Sequence, residues 1–357
     1  MRDGDATAGH ETGVSLLDVR GLSVEFPLGL GRGVLRAVDD VTFTIRVGET
    51  VGLVGESGSG KSTIGRVVLG LTSPTTGSVR FDDAEITTAT RHDRRALSAQ
   101  LQVVFQDPYS SLNPTRTIGQ TLAEMLRPHP GHGPEDVAQR VGGLLERVGL
   151  PAEAASRYPS QFSGGQRQRI AIARALMVGP RLIICDEAVS ALDLSVQAQV
   201  LNLLHELQSE FELSYLFIAH DLAVVRHVSH RIIVLYRGRV MEQGPAPAVY
   251  GRPAHPYTRA LLDAVPTLDP EIQRRRRQAR TTRIGDLPAE APGESCPFAP
   301  RCRHVVDICH SARPVLERTP ENSVVACHRW RELRNDAAQD LVPSRLDAAR
   351  TPGSPRD

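Results

Sequence analysis

Residues 55–62 read Gly55-Glu56-Ser57-Gly58-Ser59-Gly60-Lys61-Ser62 and fit the pattern G-x-x-x-x-G-K-[ST]. The pattern follows an apolar, strand-like run, Thr50–Val54, and opens a helical one that begins at Lys61 and runs to about Gly70. Glycines so spaced let backbone N–H groups curl around phosphate oxygens, and a helix N-terminus adds partial positive charge. Lys61 would reach β- and γ-phosphates, and the Ser62 hydroxyl would ligate Mg²⁺. Gly55, Ser57, Gly58, Ser59, Gly60, Lys61, Ser62 and Thr63 are therefore candidate nucleotide-binding residues. Lys61 is also the only lysine among 42 Lys and Arg residues. A general preference for Arg explains the ratio and makes the exception informative. Arg is a broad planar fork and Lys a compact point charge on a slender stem, so a site that keeps Lys does not fit a guanidinium.

A second group is Arg181-Leu182-Ile183-Ile184-Cys185-Asp186-Glu187, an apolar run ending in two acids. Acids at the end of a buried strand are costly unless they hold a metal or a proton. Asp186 suits Mg²⁺, directly or through water, and Glu187 suits a general base for an attacking water.

The chain that must position these groups has 357 residues, room for one large domain or two ordinary ones. At 40% hydrophobic and 23% charged residues it has the composition of a soluble globular protein. A formal net charge of +1 supplies no global field toward nucleic acid. The polar start, Met1-Arg2-Asp3-Gly4-Asp5, lacks the apolar core of a signal peptide. No apolar run approaches the roughly 18 residues that cross a bilayer, so membrane attachment is expected through a partner. Residues 15–47 alternate as strands do, around a Gly-rich loop at 27–33, and further strand-like runs lie at 181–185, 213–219 and 231–236. Residues from about 92 to 175 are mostly helical in pattern. Strands alternating with helices imply an α/β fold with a parallel sheet covered by helices. The sequence turns polar after about Pro266, with an Arg run at 274–277 that reads as a solvated linker.

These motifs and their order resemble those of ABC-type ATPases. Phe162-Ser163-Gly164-Gly165-Gln166 is similar to the LSGGQ signature, with Phe in first place, and leads into an amphipathic helix. The resemblance implies that Ser163, Gly164, Gly165 and Gln166 close over ATP held by an opposite subunit. It also makes Asp193, in Ser190-Ala191-Leu192-Asp193, the D-loop acid, and His220 the switch histidine that contacts the γ-phosphate. Gln106 becomes the glutamine that senses Mg²⁺ and water, and Phe26 the adenine-stacking aromatic. The implied fold is a P-loop NTPase, an ABC nucleotide-binding domain with a parallel-sheet core, an antiparallel β subdomain and a helical subdomain at about 92–175. With Glu187 and His220 both present, the resemblance implies hydrolysis of ATP and not binding alone, in a dimer that completes each site.

His255-Pro256-Tyr257-Thr258-Arg259-Ala260-Leu261 with Ala264-Val265-Pro266, and Asp107-Pro108-Tyr109-Ser110-Ser111-Leu112-Asn113-Pro114, resemble segments of oligopeptide and dipeptide importer ATPases, in the second of their two ATPase types. That implies an ABC ATPase domain at 15–265, an importer-type extension at 266–332, and disordered tails at 1–14 and 333–357. The implied partners are a second ABC ATPase subunit, two transmembrane permeases and, indirectly, an extracytoplasmic solute-binding protein, with the chain at the cytoplasmic face of the membrane. Related importers carry nickel or other small solutes, and the same core also drives non-transport proteins.

Cys296, Cys302, Cys309 and Cys327 are spaced C-x₅-C-x₆-C-x₁₇-C, and Cys185 lies in an apolar run. Four thiolates can bind Zn²⁺ or an Fe–S cluster, or simply pack. Zinc sites usually show a short C-x₂₋₄-C knuckle, absent here, and wider spacing suits a bulkier cluster, with Arg301 and Arg303 favouring thiolates. The tail resembles that of peptide-importer ATPases, some of which carry a [4Fe–4S] cluster. Nothing in the sequence ties these cysteines to the phosphate site.

Overall fold

Two sheets carry the site in the computed structural model of the chain, which describes residues 15–29, 33–107, 112–128, 133–264 and 294–334. The expected tail at 1–14, all but the first two residues of that at 333–357, the Arg run at 274–277, Val265 with Pro266, and the Pro108-Tyr109-Ser110-Ser111 stretch lie outside the described residues.

In chain order the strands are β1 (Ser15–Pro27), β2 (Val34–Arg46), β3 (Thr50–Val54), β4 (Thr76–Phe81), β5 (Ala84–Glu85), β6 (Leu101–Phe105), β7 (Leu182–Asp186), β8 (Ser214–Ala219), β9 (Arg231–Tyr236), β10 (Arg239–Pro245), β11 (Glu317–Arg318) and β12 (Val324–Val325). The helices are α1 (Lys61–Val68), α2 (Arg91–Gln100), α3 (Ile118–Glu124), α4 (Pro134–Arg147), α5 (Gly164–Leu176), α6 (Leu194–Phe211), α7 (Leu222–Val228), α8 (Ala246–Gly251), α9 (Pro256–Ala264) and α10 (Asp307–Ser311).

The smaller sheet has the order β2-β1-β4-β5 and is antiparallel throughout. Leu17, Val19, Leu22 and Val24 of β1 are buried against the larger sheet, with mostly part-exposed residues between them, as a two-residue side-chain period dictates. The larger sheet has the order β11-β12-β10-β9-β3-β8-β7-β6. Its centre is parallel: β3 pairs with β8 and β9, and β7 with β6 and β8. Every residue of β3 and β8 is buried, as expected of parallel strands covered on both faces.

This register fixes the site. Val54 lies opposite Ala219, and Asp186 opposite both Ile218 and Phe105. The carboxyl ends of β3, β6, β7 and β8 therefore open on one edge, where ligands of open α/β sheets bind.

Two segments differ from the sequence reading. Leu101–Phe105, inside the window read as mostly helical, is the strand β6 beside β7. A five-residue segment with four apolar residues is too short to carry a period that separates strand from helix, and pairing decides it. The C-terminal extension is also part of the sheet, because Val324 and Val325 pair antiparallel with Gln243 and Glu242 of β10. Among the described residues no helix is long and apolar enough to cross a membrane.

Candidate nucleotide site

The loop between β3 and α1 wraps tightly on itself and on β2. Gly58 and Gly60 have φ of 75° and 101°. A Cβ on Gly60 would stand 2.3 Å from the Ala37 carbonyl oxygen, so no side chain fits there. Lys61 is buried at the start of α1 and donates to the carbonyls of Gly55 (2.7 Å) and Glu56 (2.9 Å) and to the Ser59 hydroxyl (3.4 Å). Burial lowers its proton affinity, and the nearby Glu187, Asp186 and Glu56 carboxylates oppose that shift.

The Ser62 hydroxyl donates to Asp186 at 2.9 Å, joining the loop to the end of β7. Burial raises the Asp186 carboxyl above its ordinary range, against that hydrogen bond. Glu187 follows with φ of 52°, a left-handed backbone that is strained for a residue with a Cβ. The strain is held by its N–H on the Ile218 carbonyl (2.9 Å) and by its own carbonyl, which accepts from the Ser190 N–H (3.1 Å) and hydroxyl (2.9 Å). His220, just past β8, brings Nδ1 to 3.8 Å from a Glu187 carboxylate oxygen.

Ser57, Ser62, Gln106, Asp186 and Glu187 line one open cleft of about 800 Å³. Arg66 and Arg174 line it too, and the sequence reading passed over both. They sit among helical positions where an Arg normally reads as a solvated face, and only the sheet register brings them to the cleft.

The 163–166 motif is organised differently. Ser163 caps α5: its hydroxyl accepts from the Gln166 N–H (3.3 Å), while the Gln166 side-chain oxygen accepts from the Ser163 N–H (3.0 Å). A Cβ on Gly164 would meet nothing within 4 Å, whereas one on Gly165 would stand 2.4 Å from a Val196 methyl. Ser163, Gly164, Gly165 and Gln166 are not among the residues lining the cleft. Asp193 caps α6, accepting from the Val196 N–H (3.0 Å) and the Ser195 hydroxyl (2.7 Å), bonds that hold its carboxyl below the usual range. Phe26 pairs with Leu35 near the open end of the small sheet, 40% exposed and outside the cleft. Gly55 and Ser59 are buried in the loop, and Thr63 is on α1.

The cysteine-bearing extension reaches the phosphate loop through Arg301, a contact the sequence reading did not anticipate. Glu56, a position the motif leaves open, receives two guanidinium N–H bonds from Arg301 at 2.7 and 2.9 Å. Its backbone N–H donates to the Tyr257 hydroxyl at 3.0 Å. Tyr257 is fully buried and packs its ring, tilted by 55°, against those of Tyr236 and Phe298, ring centroids 4.6 and 5.3 Å away. Its segment is anchored by the buried Glu242, which accepts from the Ala254 (2.8 Å) and His255 (2.9 Å) N–H groups. A contact spanning 245 residues of sequence leaves no local signal.

Cys296, Cys302, Cys309 and Cys327 line one small cavity with His255, His304 and His328. Among the described residues, however, no group of three or more His, Cys, Asp or Glu side chains stands as a metal-holding set. Burial pushes the Cys296 thiol up to about 11 and Cys327 up to about 12, and it raises Cys302 against the pull of Arg303. Arg301, expected to assist them, is engaged with Glu56. Cys185 is fully buried in β7 with its thiol pushed up to about 12, a small apolar residue in effect.

Residues 38–190 match the family model described as ABC transporter, and residues 241–309 match the oligopeptide/dipeptide transporter C-terminal region. A peptide ABC transporter ATP-binding protein of Sinorhizobium fredii is 46% identical over 95% of this chain and 96% of its own length. An oligopeptide transport ATP-binding protein of Bacillus subtilis is 47% identical over 88% of this chain and 96% of its own. Among solved structures, the ATP-binding cassette MJ0796, a dimer in a post-hydrolysis state with ADP and phosphate bound, aligns with a TM-score of 0.58 at 28% identity over 64% of this chain and 98% of its own. The cassette cbiO1 of Clostridium perfringens aligns at 0.60 and 26% identity over 66% of this chain and 91% of its own. With this degree of likeness over nearly its whole length, the chain belongs to the ATP-binding subunits of ABC transporters, in the group that carries the oligopeptide/dipeptide C-terminal region.

Proposed function

We propose that this subunit hydrolyses ATP to drive peptide import, acting as one of a pair of ATPase subunits docked on transmembrane permeases. The observation that carries the reading is the Ser62–Asp186 hydrogen bond beside the buried Lys61. It sets a hydroxyl, a carboxylate and a cation at the mouth of a loop built from backbone N–H groups, which is what a Mg²⁺-nucleotide requires. Ser62, Asp186 and Gln106 offer hard oxygen donors on one cleft, a set that fits Mg²⁺. Mg²⁺ bound there would offset charge on the β- and γ-phosphates.

In this reading Lys61 leaves the Gly55 and Glu56 carbonyls for the phosphate oxygens, a short swing between acceptors within the same loop. Glu187 accepts the proton of the attacking water. His220 holds that water and the γ-phosphate in line. Ser163, Gly164, Gly165 and Gln166 reach the triphosphate of the facing subunit, with Asp193 at the same interface, and Phe26 stacks on adenine. The dimeric state of the solved cassette MJ0796 supports a shared site. The names of the curated relatives support peptides as the cargo and permeases as partners. The iron–sulfur reading of Cys296, Cys302, Cys309 and Cys327 rests on their lining one cavity and enters no step here. Iron and sulfide analysis of anaerobically purified chain tests it.

The functional test is uptake into vesicles holding the permeases that co-purify with this chain, together with their solute-binding protein. ATP-dependent accumulation of a labelled oligopeptide is expected, and it should stop with Glu187→Gln. Accumulation of nickel in place of peptide would reassign the cargo, and absence of any ATP-dependent uptake would reject transport.

A further inference from the structure

Glu56 is an acid in the middle of a loop that binds a polyanion. It is the only acid in residues 55–62. Its carbonyl lies 2.9 Å from the Lys61 ammonium, and its carboxylate is near enough to act on the charge of Lys61. An unpaired carboxylate there would repel the incoming triphosphate and compete with it for Lys61.

Arg301, from the C-terminal extension, answers that charge. It meets the Glu56 carboxylate with two parallel N–H bonds, the strongest geometry available to a guanidinium and a carboxylate. Arg301 is itself held by the Tyr236 hydroxyl at 3.4 Å and lies over the Tyr236 and Phe298 rings, each 5.8 Å away. Those aromatics also flank Tyr257, whose hydroxyl takes the Glu56 N–H. One aromatic cluster, Tyr236 of β9 and Tyr257 of α9 with Phe298 of the extension, thus fixes both contacts to Glu56.

We infer that Arg301 is a positioning residue for nucleotide binding: it neutralises Glu56, so that the phosphate loop presents Lys61 to the triphosphate without a competing carboxylate. The inference rests on the ATP-binding reading of residues 55–62. It gives the extension a direct part in the nucleotide site. It also separates Arg301 from Cys302, its neighbour in sequence, which lines the cysteine cavity.

The pair is about 40% exposed on each side, so solvent and salt screen it and the effect is moderate. The test is equilibrium binding of Mg-ATP and Mg-ADP to the full-length chain, in wild type, Arg301→Ala, Glu56→Gln and the double variant, at low and high KCl. Melting temperatures establish folding of each. Arg301→Ala should weaken ATP binding about tenfold at low salt. The loss should be smaller for ADP, which carries less charge, and should shrink at high KCl. Glu56→Gln should bind ATP at least as well as wild type, and adding it to Arg301→Ala should restore affinity to within about twofold. An Arg301→Ala chain that binds ATP as wild type does, or one whose loss is equal for ATP and ADP and survives Glu56→Gln, would overturn the inference. Failure of the wild-type chain itself to bind ATP would instead overturn the underlying site assignment.

Discussion

The two halves of the candidate site are held in different ways. At the phosphate loop, Lys61 is 4% exposed and bonded three times within its own loop, and Ser62 reaches Asp186 across the sheet edge. At residues 163–166 the hydrogen bonds of Ser163 and Gln166 close on each other, and Gly164 faces open space. The first half is organised by its own chain. The second is a preformed helix N-terminus with nothing of its own to hold. On the proposed reading the contrast marks where the functional surface divides: one half would receive a nucleotide directly, and the other would meet a ligand that another chain brings.

The largest expected effect falls on the first half. Glu187→Gln should retain ATP affinity and lose turnover by about 10²–10⁴-fold, the range for removal of a general base. Steady-state hydrolysis in the assembled transporter checks this, and sedimentation should show an ATP-trapped dimer. Turnover near wild type would remove Glu187 from the role.

The glycines of the second half sharpen the comparison. Gly165 packs on Val196, so substitution there confounds folding with function, whereas Gly164 does not. Gly164→Asp should fold normally, since a carboxylate in the first turn of α5 suits the helix dipole. ATP binding by the isolated chain should be unchanged. Hydrolysis by the assembled transporter should fall on the order of 10²-fold, the cost of losing one charge-stabilising contact. Reduced nucleotide affinity in the isolated chain would show that the two halves are not separate.

At Lys61 the question is shape against charge. Lys61→Arg should lose nucleotide affinity nearly as badly as Lys61→Ala, about tenfold or more, because the planar fork cannot occupy the pocket between the Gly55 and Glu56 carbonyls. Titration with a fluorescent ATP analogue checks it, and near-normal binding by the Arg variant would make the single lysine an accident of composition.

The effect expected to reach turnover least lies in the junction that supports Tyr257. Burial pushes the Glu242 carboxyl from 4.5 up to about 7 and the His255 imidazole from 6.5 down to about 3. Between pH 4.5 and 6.5 the folded chain keeps a proton on Glu242 that the unfolded chain releases, so stability falls as pH rises. Over the same window the unfolded chain protonates His255 and the folded chain does not, so stability falls as pH drops. The two slopes oppose each other in wild type. Glu242→Gln leaves the His255 slope alone, and the variant should lose about 1.4 kcal/mol per pH unit relative to wild type on acidification from 6.5 to 4.5. Urea melts across that range check the sign, and parallel curves would refute the opposed pair.

What the sequence revealed follows the same division between local and distant structure. The phosphate loop, the acids at the end of β7 and His220 after β8 were legible because strand, loop and helix start are consecutive and each motif has a fixed spacing. The helix that follows Ser163 was legible as an amphipathic run, whereas the cap that Ser163 forms on it was not read from the sequence. Leu101–Phe105 was not legible, since a five-residue segment of four apolar residues and a Gln acquires strand character only by pairing with β7. Arg66 and Arg174 were hidden among helical positions. The contact of Glu56 with Arg301 depends on the extension folding back against the core, and residue types alone do not encode which surface Arg will meet which acid.

The central claim is that hydrolysis needs the phosphate loop of one chain and the 163–166 motif of another. Its most direct test is the specific ATPase activity of the purified, full-length chain measured across a wide range of protein concentration, with sedimentation run in parallel. The account predicts a slow rate per chain in dilute monomer, a rise as dimer forms, and a further rise when a partner ATPase and the permeases are added. A fast rate per chain that stays constant down to concentrations where only monomer sediments would contradict it.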